Sequence, residues 1–206
     1  MHLDTFFFFL LVAVLPAISP GPAVLLALTN TLRHGRAATV WSGLGNALGL
    51  FFVGLAVAFG AGALMAASAV AFVAFKVMGA AYLMYLGIKL WRNGLAIDTT
   101  VVQTKTIHRA RLFGQAFLVS ITNPKAILVL TALLPPFLKP GSPLLVQAMI
   151  LSAGYALLCL TNHLCIAFFA GRIRGFLMNA KRMRTTQKVA GGGFIGFGLA
   201  LLGASR

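Results

Sequence analysis

Long apolar segments, the longest of which could cross a membrane as a helix, constrain this chain more than any other feature of its sequence. Runs such as Phe6–Leu15, Leu48–Ala67 and Gln147–Leu160 contain no charged residue. A helix needs about 20 mainly apolar residues to cross the hydrocarbon core of a bilayer. The runs do not alternate between apolar and polar residues, as the strands of a membrane β-barrel would. The sequence therefore predicts an all-α integral membrane protein.

Composition and charge agree with this prediction. Of the 206 residues, 60% are hydrophobic and only 9% are charged, whereas about a quarter of a soluble domain is charged. The formal net charge of +15 suggests nucleic-acid binding at first. However, the basic residues lie mostly in short connections between apolar runs, as membrane topology favours. We therefore expect a lipid bilayer around the chain and no nucleic-acid partner.

About six transmembrane helices are predicted, arranged as two halves of three. The expected spans are residues 5–31, 40–64, 69–90, 112–134, 144–170 and 187–203. Residues 1–95 form the first three-helix repeat, 96–111 a cytoplasmic linker, and 112–206 the second repeat. With the amino terminus outside, thirteen Lys and Arg residues fall on the cytoplasmic side and two on the other. This positive-inside bias predicts that both termini lie outside the cytoplasm.

The two halves resemble each other in sequence. Lys76, Val77, Gly79, Tyr82, Leu83 and Tyr85 correspond to Lys188, Val189, Gly191, Phe194, Ile195 and Phe197 at a fixed offset of 112. In each half the first helix is interrupted by a polar, proline-containing segment, Ser19–Pro22 and Thr122–Lys125. Because each half has three spans, the second is inverted relative to the first. A 3+3 inverted repeat with broken helices 1 and 4 is typical of secondary transporters, whose site lies near the bilayer midplane.

The first break contains Ser19, Pro20, Gly21 and Pro22. Two prolines that flank a glycine cannot continue a regular helix. Inside a bilayer the freed backbone groups need partners in protein or in a water-filled cavity. We therefore expect these residues to bind substrate; the alternative is a proline kink that only shapes packing.

The second break brings Asn123, Pro124 and Lys125 to the middle of the fourth span. Pro124 suits the first turn of a new half-helix, where its missing N–H is not needed. An ammonium group deep in the membrane marks a functional site by default. We expect all three residues to bind substrate, with Lys125 at its anionic end. The alternative is that Lys125 extends along its stem to the interface.

Other polar residues within the spans are weaker candidates. Asn46 and Asn162 could each face a cavity or bond to another helix, and Asn46 is expected to bind the substrate. His163 is the candidate proton carrier, because its side chain titrates near neutral pH; a histidine satisfied by a neighbouring helix is the alternative. The spans contain no carboxylate, and no acid–base pair, metal-ligand spacing or phosphate-binding loop is present. We therefore expect no enzyme activity, no catalytic residue, no cofactor and no metal site.

Several motifs together resemble one transporter family, in order and over essentially the whole chain. They are Ser19–Pro22 with Leu32–Arg36, Gly79–Lys89, Asn123–Ala126 and Gly193–Leu199. The chain is similar in these motifs to the LysE/RhtB family of amino-acid exporters. The resemblance implies a bacterial inner-membrane protein that exports amino acids or related small zwitterionic metabolites, driven by the proton-motive force.

One position departs from the family pattern. Family members commonly carry Asp or Asn directly after the first Pro-Gly-Pro, and here that residue is Ala23. The departure puts the identity of the substrate in doubt. Two other functions stay open, a passive channel for small solutes and a membrane scaffold without transport. The sequence also leaves open whether the protein assembles as a homo-oligomer.

Overall fold

A computed structural model of the protein describes residues 3–19, 21–92, 108–139 and 141–203. Pro20 and residues 96–107 of the predicted linker lie outside the described residues. So do the two chain ends and the side chain of Lys76.

The described residues form eight α-helices and no strand, which confirms the all-α prediction. The helices are α1 (Leu3–Ile18), α2 (Pro22–His34), α3 (Arg36–Ala67), α4 (Ala69–Arg92), α5 (Arg109–Thr122), α6 (Pro124–Leu133), α7 (Leu144–Met178) and α8 (Ala180–Gly203). A single 3-10 turn, Pro135–Phe137, follows α6. The part of α7 that could cross a membrane is Leu144–Ala170, as predicted. Helices α7 and α8 themselves continue beyond the predicted spans 144–170 and 187–203 into segments that contain basic residues.

Both helix breaks predicted from the prolines are present. The first separates α1 from α2, whose axes differ by 62°, and the second separates α5 from the segment Pro124–Phe137, with a bend of 56°. Among the described residues, α3 and α7 are each long and apolar enough to cross a membrane, and counting each bent pair as one span gives four. Helices α4 and α8 lie where the third and sixth spans were predicted. The total of six crossings stays a prediction.

Helix α3 packs closely against both α5 and α7 through its glycines. A Cβ atom built on Gly45 would lie 2.1 Å from the carbonyl oxygen of Phe113 in α5. One built on Gly54 would lie 2.4 Å from Oγ of Ser152 in α7. Such small-residue contacts let helix backbones approach each other within a membrane. They make α3 the helix around which the two halves meet.

Helices α3 and α7, which the predicted repeat pairs with each other, run in opposite directions. Near the start of α3, Gly43 lies against His163, late in α7, whereas near its end Gly62 lies against Leu144, the first residue of α7. Helices α4 and α8 also pack along each other. An inverted repeat requires this antiparallel arrangement, and a simple up-and-down bundle gives it as well. The internal repeat therefore stays a prediction.

Basic residues from separate connections meet at one end of the bundle. The guanidinium of Arg36, at the start of α3, lies 5.8 Å from the ring centre of Phe168 in α7. That of Arg109, at the start of α5, lies 5.6 Å from the ring centre of Trp41 in α3. We call the end that contains Arg36 and Arg109 the basic end.

The opposite end carries the loop between α6 and α7, which one side chain holds in place. Gln147 Nε2 donates hydrogen bonds to the carbonyls of Lys139 and Ser142, each at 3.1 Å. The Lys139 amide donates in return to Gln147 Oε1 at 2.8 Å. Because Gln147 is buried within α7, the loop is fixed to the helix bundle at this end.

Candidate functional site

A cavity of about 50 Å³, with several polar side chains in a partly apolar wall, lies at the centre of the bundle, where the two breaks face each other. Its lining includes Ser19 and Gly21 of the first break, Asn123 and Lys125 of the second, Asn46 of α3 and His163 of α7. A volume of this size holds only a few water molecules. A larger solute therefore requires the surrounding helices to move apart.

The first break exposes backbone acceptors. Helix α1 ends at Ile18, Gly21 is extended with φ −168°, and Pro22 is the first residue of α2. Proline has no N–H, so the Ile18 carbonyl loses the donor that a continuous helix would provide at Pro22. The Ser19 hydroxyl is buried and has no hydrogen-bond partner among the described residues. Ser19 therefore brings an unpaired hydroxyl to this part of the cavity wall.

Side chains from the second half bind the carbonyls of the first break. Lys125 Nζ donates a hydrogen bond to the Ser19 carbonyl at 2.9 Å. Asn162 Nδ2, on α7, donates to the Ala17 carbonyl at 2.9 Å. A Cβ atom at Gly21 would lie only 3.3 Å from both Cδ and Nζ of Lys125. Glycine at this position thus leaves room for the lysine to cross between the breaks.

The second break is a single residue that caps the next helix. Asn123 has extended backbone angles, φ −74° and ψ 108°, and its side chain accepts a hydrogen bond from the Lys125 amide at 3.1 Å. Pro124 occupies the first helical position, as the sequence predicted. An asparagine N-cap and a proline at the first position both favour a helix start. The ammonium of Lys125 is held within one turn of this start.

Asn46 is buried and lines the cavity from α3. Its Oδ1 accepts a hydrogen bond from Ser120 Oγ at 2.6 Å, which fixes the orientation of the amide. Its Nδ2 is buried without a partner among the described residues. Since buried polar groups are nearly always paired, this nitrogen is a donor available to a bound solute or water.

His163 is only 3% exposed and lies in the same cavity wall. Its Nδ1 is 2.8 Å from the carbonyl of Cys159, one turn earlier in α7, and the ring also interacts with the backbone of Ala23. Both interpretations of this histidine, proton carrier or side chain satisfied by a neighbouring helix, are therefore compatible with its position, since it lines the cavity and its ring also interacts with α2 through Ala23. Ala23 also lines the cavity, so the departure from the family pattern falls within the site.

The structure brings most of the predicted residues that it describes to one cavity, whereas Pro22 and Pro124 are exposed and do not line it. It also adds residues that the sequence did not single out. Tyr155 and Cys159 of α7 also line the cavity, and Ser120 orients Asn46. They lie in apolar runs where such residues are usually part of a core, so only their position in the fold identifies them. Among the described lining residues there is no carboxylate. The described part of the chain also contains no group of three or more His, Cys, Asp or Glu residues suited to a metal ion.

The fold and the site together define a class: an all-α membrane protein with a polar cavity between two broken helices. The LysE type translocator family model matches residues 14–205. The chain therefore belongs to the LysE type translocator family.

Curated relatives agree with this membership. The chain is 37% identical over 209 residues to the homoserine/homoserine lactone efflux protein of Salmonella typhi, covering 100% of this chain and 99% of the relative. It is 30% identical to an uncharacterized membrane protein of Vibrio cholerae, with 98% of each chain covered. A leucine efflux protein of Salmonella choleraesuis is 28% identical over 66% of this chain and 64% of its own length. No solved structure gives a significant match.

Proposed function

We propose that this protein exports neutral amino acids and their close derivatives, of the homoserine and homoserine lactone type, from the cytoplasm. Family membership and the names of the full-length relatives support the substrate class. The observation that carries the proposal is the bond between Lys125 of one half and the Ser19 carbonyl of the other. It joins a cation and a backbone acceptor at the centre of one polar cavity.

In this proposal Lys125 binds the anionic or carbonyl end of the substrate. A carboxylate is a stronger acceptor for an ammonium than a neutral carbonyl is, so an incoming substrate can replace Ser19 as the partner of Lys125. The start of α6 contributes the positive end of its dipole. Its amides contribute less, because Pro124 has no N–H and the Lys125 amide already donates to Asn123. Most of the attraction is therefore assigned to the lysine charge.

The substrate ammonium would bind the acceptors of the first break. Release of Lys125 frees the Ser19 carbonyl, and the Ser19 hydroxyl lies in the same wall. With no carboxylate among the described lining residues, these neutral oxygens suit one ammonium better than two. The arrangement therefore favours zwitterions with uncharged side chains over dibasic amino acids. Asn46 Nδ2 is the remaining donor that we assign to the substrate.

We further propose that export is driven by the proton-motive force, with His163 as the proton carrier. His163 shares the cavity with Lys125. Protonation of His163 therefore changes the electrostatic environment in which Lys125 binds a substrate. The basic end is assigned to the cytoplasm of a bacterial inner membrane, with both termini outside, because positive loops are retained on that side. The 3+3 inverted repeat is part of the same proposal.

Efflux from preloaded cells or proteoliposomes tests this function. We expect saturable efflux of homoserine that depends on the proton gradient. Lys125→Met keeps most of the stem and removes the charge, so we expect efflux to fall by about tenfold or more, as for the loss of a hydrogen bond to a charged group. The matched control is Lys139→Met, since the described contacts of Lys139 to Gln147 use its backbone. It should export normally.

Three outcomes would contradict parts of the proposal. Normal efflux and unchanged pH dependence in Lys125→Met would remove the lysine from the site. Non-saturable flux that ignores the proton gradient would indicate a passive channel. A wild-type protein that moves none of the neutral amino acids or lactones tested would refute the substrate class.

A further inference from the structure

Helix α2 is a short element held between two joints. The first break precedes it, and Gly35, with φ +84°, ends it. A positive φ is readily adopted only by glycine, so this turn to α3 is tight and specific. One face of α2 packs on α7 through an apolar cluster of Val24, Ala27, Leu28, Ile166 and Ala170. Helix α2 is therefore a separate element, set off from α1 and α3 by non-helical residues at both ends.

A row of buried polar side chains on α3 leads from the basic end to the central cavity. Thr39, Ser42 and Asn46 are 0%, 1% and 2% exposed, and their spacing of three and four residues places them on one helix face. The row begins close to Arg36 and ends at Asn46 in the cavity wall. Ten residues of helix separate these two, a rise of about 15 Å, which is about half of a bilayer core.

Hydrogen bonds between α2 and α3 close the basic end of this row. Thr39 Oγ1 donates to the Ala27 carbonyl of α2 at 3.0 Å, and it also shares a short hydrogen bond with the hydroxyl of Thr31. The neighbouring Asn30 is 4% exposed, and its amide nitrogen has no hydrogen-bond partner among the described residues. Leaving a buried donor unpaired is unfavourable. Such a group gains a partner when water or solute enters.

We propose that α2 is a gate, and that the α3 face with Thr39, Ser42 and Asn46 lines the route between the basic end and the cavity. The bond from Thr39 to Ala27 holds the route closed. This inference rests on the proposed transport function, because it assigns the path by which that function's substrate reaches its site. Tilting α2 away from α3 breaks this bond and opens the polar row to water.

Polar residues that only hold membrane helices together account for part of this pattern. Such residues form hydrogen bonds across a helix interface, as Thr39 does. They leave no reason for the buried amide nitrogens of Asn30, in α2, and Asn46, in α3, to lack partners among the described residues. A route for solute explains both the hydrogen bonds between α2 and α3 and the unpaired amide nitrogens of Asn30 and Asn46.

Cysteine labelling in lipid nanodiscs tests the gate without requiring transport. The background is Cys165→Ala, with the buried Cys159 kept because it lines the cavity. A water-soluble cationic methanethiosulfonate should react about tenfold faster with Ser42→Cys than with Leu44→Cys. The reason is that the first cysteine would meet water in the route, whereas the second would face the low-dielectric lipid. Leu44 is the matched control, two residues away and 39% exposed on the outer surface of the bundle.

Adding Thr39→Val to Ser42→Cys should raise the labelling rate by about fivefold. This is the increase in the population of the open state expected from the loss of one hydrogen bond. Thr161→Val is the control, because that exposed hydroxyl bonds only to Leu157 of its own helix in the described contacts. It should leave the rate unchanged.

The gate is refuted if Ser42→Cys reacts no faster than Leu44→Cys, or if Thr39→Val does not change its rate. An efflux assay on the Cys165→Ala background distinguishes failure of the gate from failure of the proposed transport function. Normal export without labelling overturns the route and leaves the exporter standing. Labelling as expected without export of any tested solute supports the gate and overturns the proposed substrate class.

Discussion

The two helix breaks have similar bends and opposite chemistry. The first bends by 62° and the second by 56°. In the first, Gly21 precedes the new helix without a side-chain cap, and the Ser19 carbonyl is the partner of Lys125. The second is capped by Asn123 and presents the ammonium of Lys125. Equivalent geometry in the two halves thus provides an acceptor side and a donor side, which suits a solute with two unlike ends.

The largest effect is expected from removing the first break. Replacing Pro20, Gly21 and Pro22 together by Ala restores backbone donors and favours a continuous helix from α1 into α2. We expect export to be abolished while the protein still accumulates in the membrane. Efflux and membrane yield measure the two quantities. Pro143→Ala is the control, an exposed proline just before α7, and it should retain both. Export by the triple variant would show that the break only shapes packing.

A smaller effect is expected from removing the cap of the second break. Asn123→Ala loses the acceptor for the Lys125 amide, and N-cap losses cost about 1 kcal/mol. Asn123→Ser keeps a capping oxygen and is the matched variant. We expect Asn123→Ala to lower thermal stability in detergent and to raise KM for efflux, with Asn123→Ser between it and the wild type. Identical KM values for all three proteins would mean that the cap does not position Lys125.

The smallest effect is expected where the two breaks touch. A methyl group at Gly21 would lie 3.3 Å from Cδ and Nζ of Lys125, a contact that the flexible lysine relieves by a small shift. Gly21 is extended, so alanine fits its backbone. We expect Gly21→Ala to raise KM by about two- to fivefold with unchanged yield, as for weakening one hydrogen bond. Gly114→Ala has open space around its Cβ and should behave as wild type. Equal KM values for both variants would place substrate binding elsewhere.

Much of this arrangement was predictable from local sequence, because the length of an apolar run determines where a helix lies and a proline determines where it breaks. The second break was predicted over Thr122–Lys125 with Pro124 in the first turn of the new helix; Pro124 is at that position, and the break itself is confined to Asn123. The meeting of Lys125 with the Ser19 carbonyl was not predictable, because the two residues are 106 positions apart and one partner is backbone. Tyr155 was missed for a related reason, since in sequence it is one more large residue in an apolar run. Tertiary packing alone brings it to the cavity.

The close glycine contacts of α3 have a consequence for anyone who searches for this site by random mutagenesis. Gly45 and Gly54 meet neighbouring helices at distances that leave no space for a methyl group. Changes there act on the assembly of the bundle in the bilayer and are far more damaging than their chemistry suggests. Variants that lose export will therefore be found at the glycine contacts of α3 as readily as at the cavity. Only variants whose abundance in the membrane is normal identify residues that bind or transport the solute.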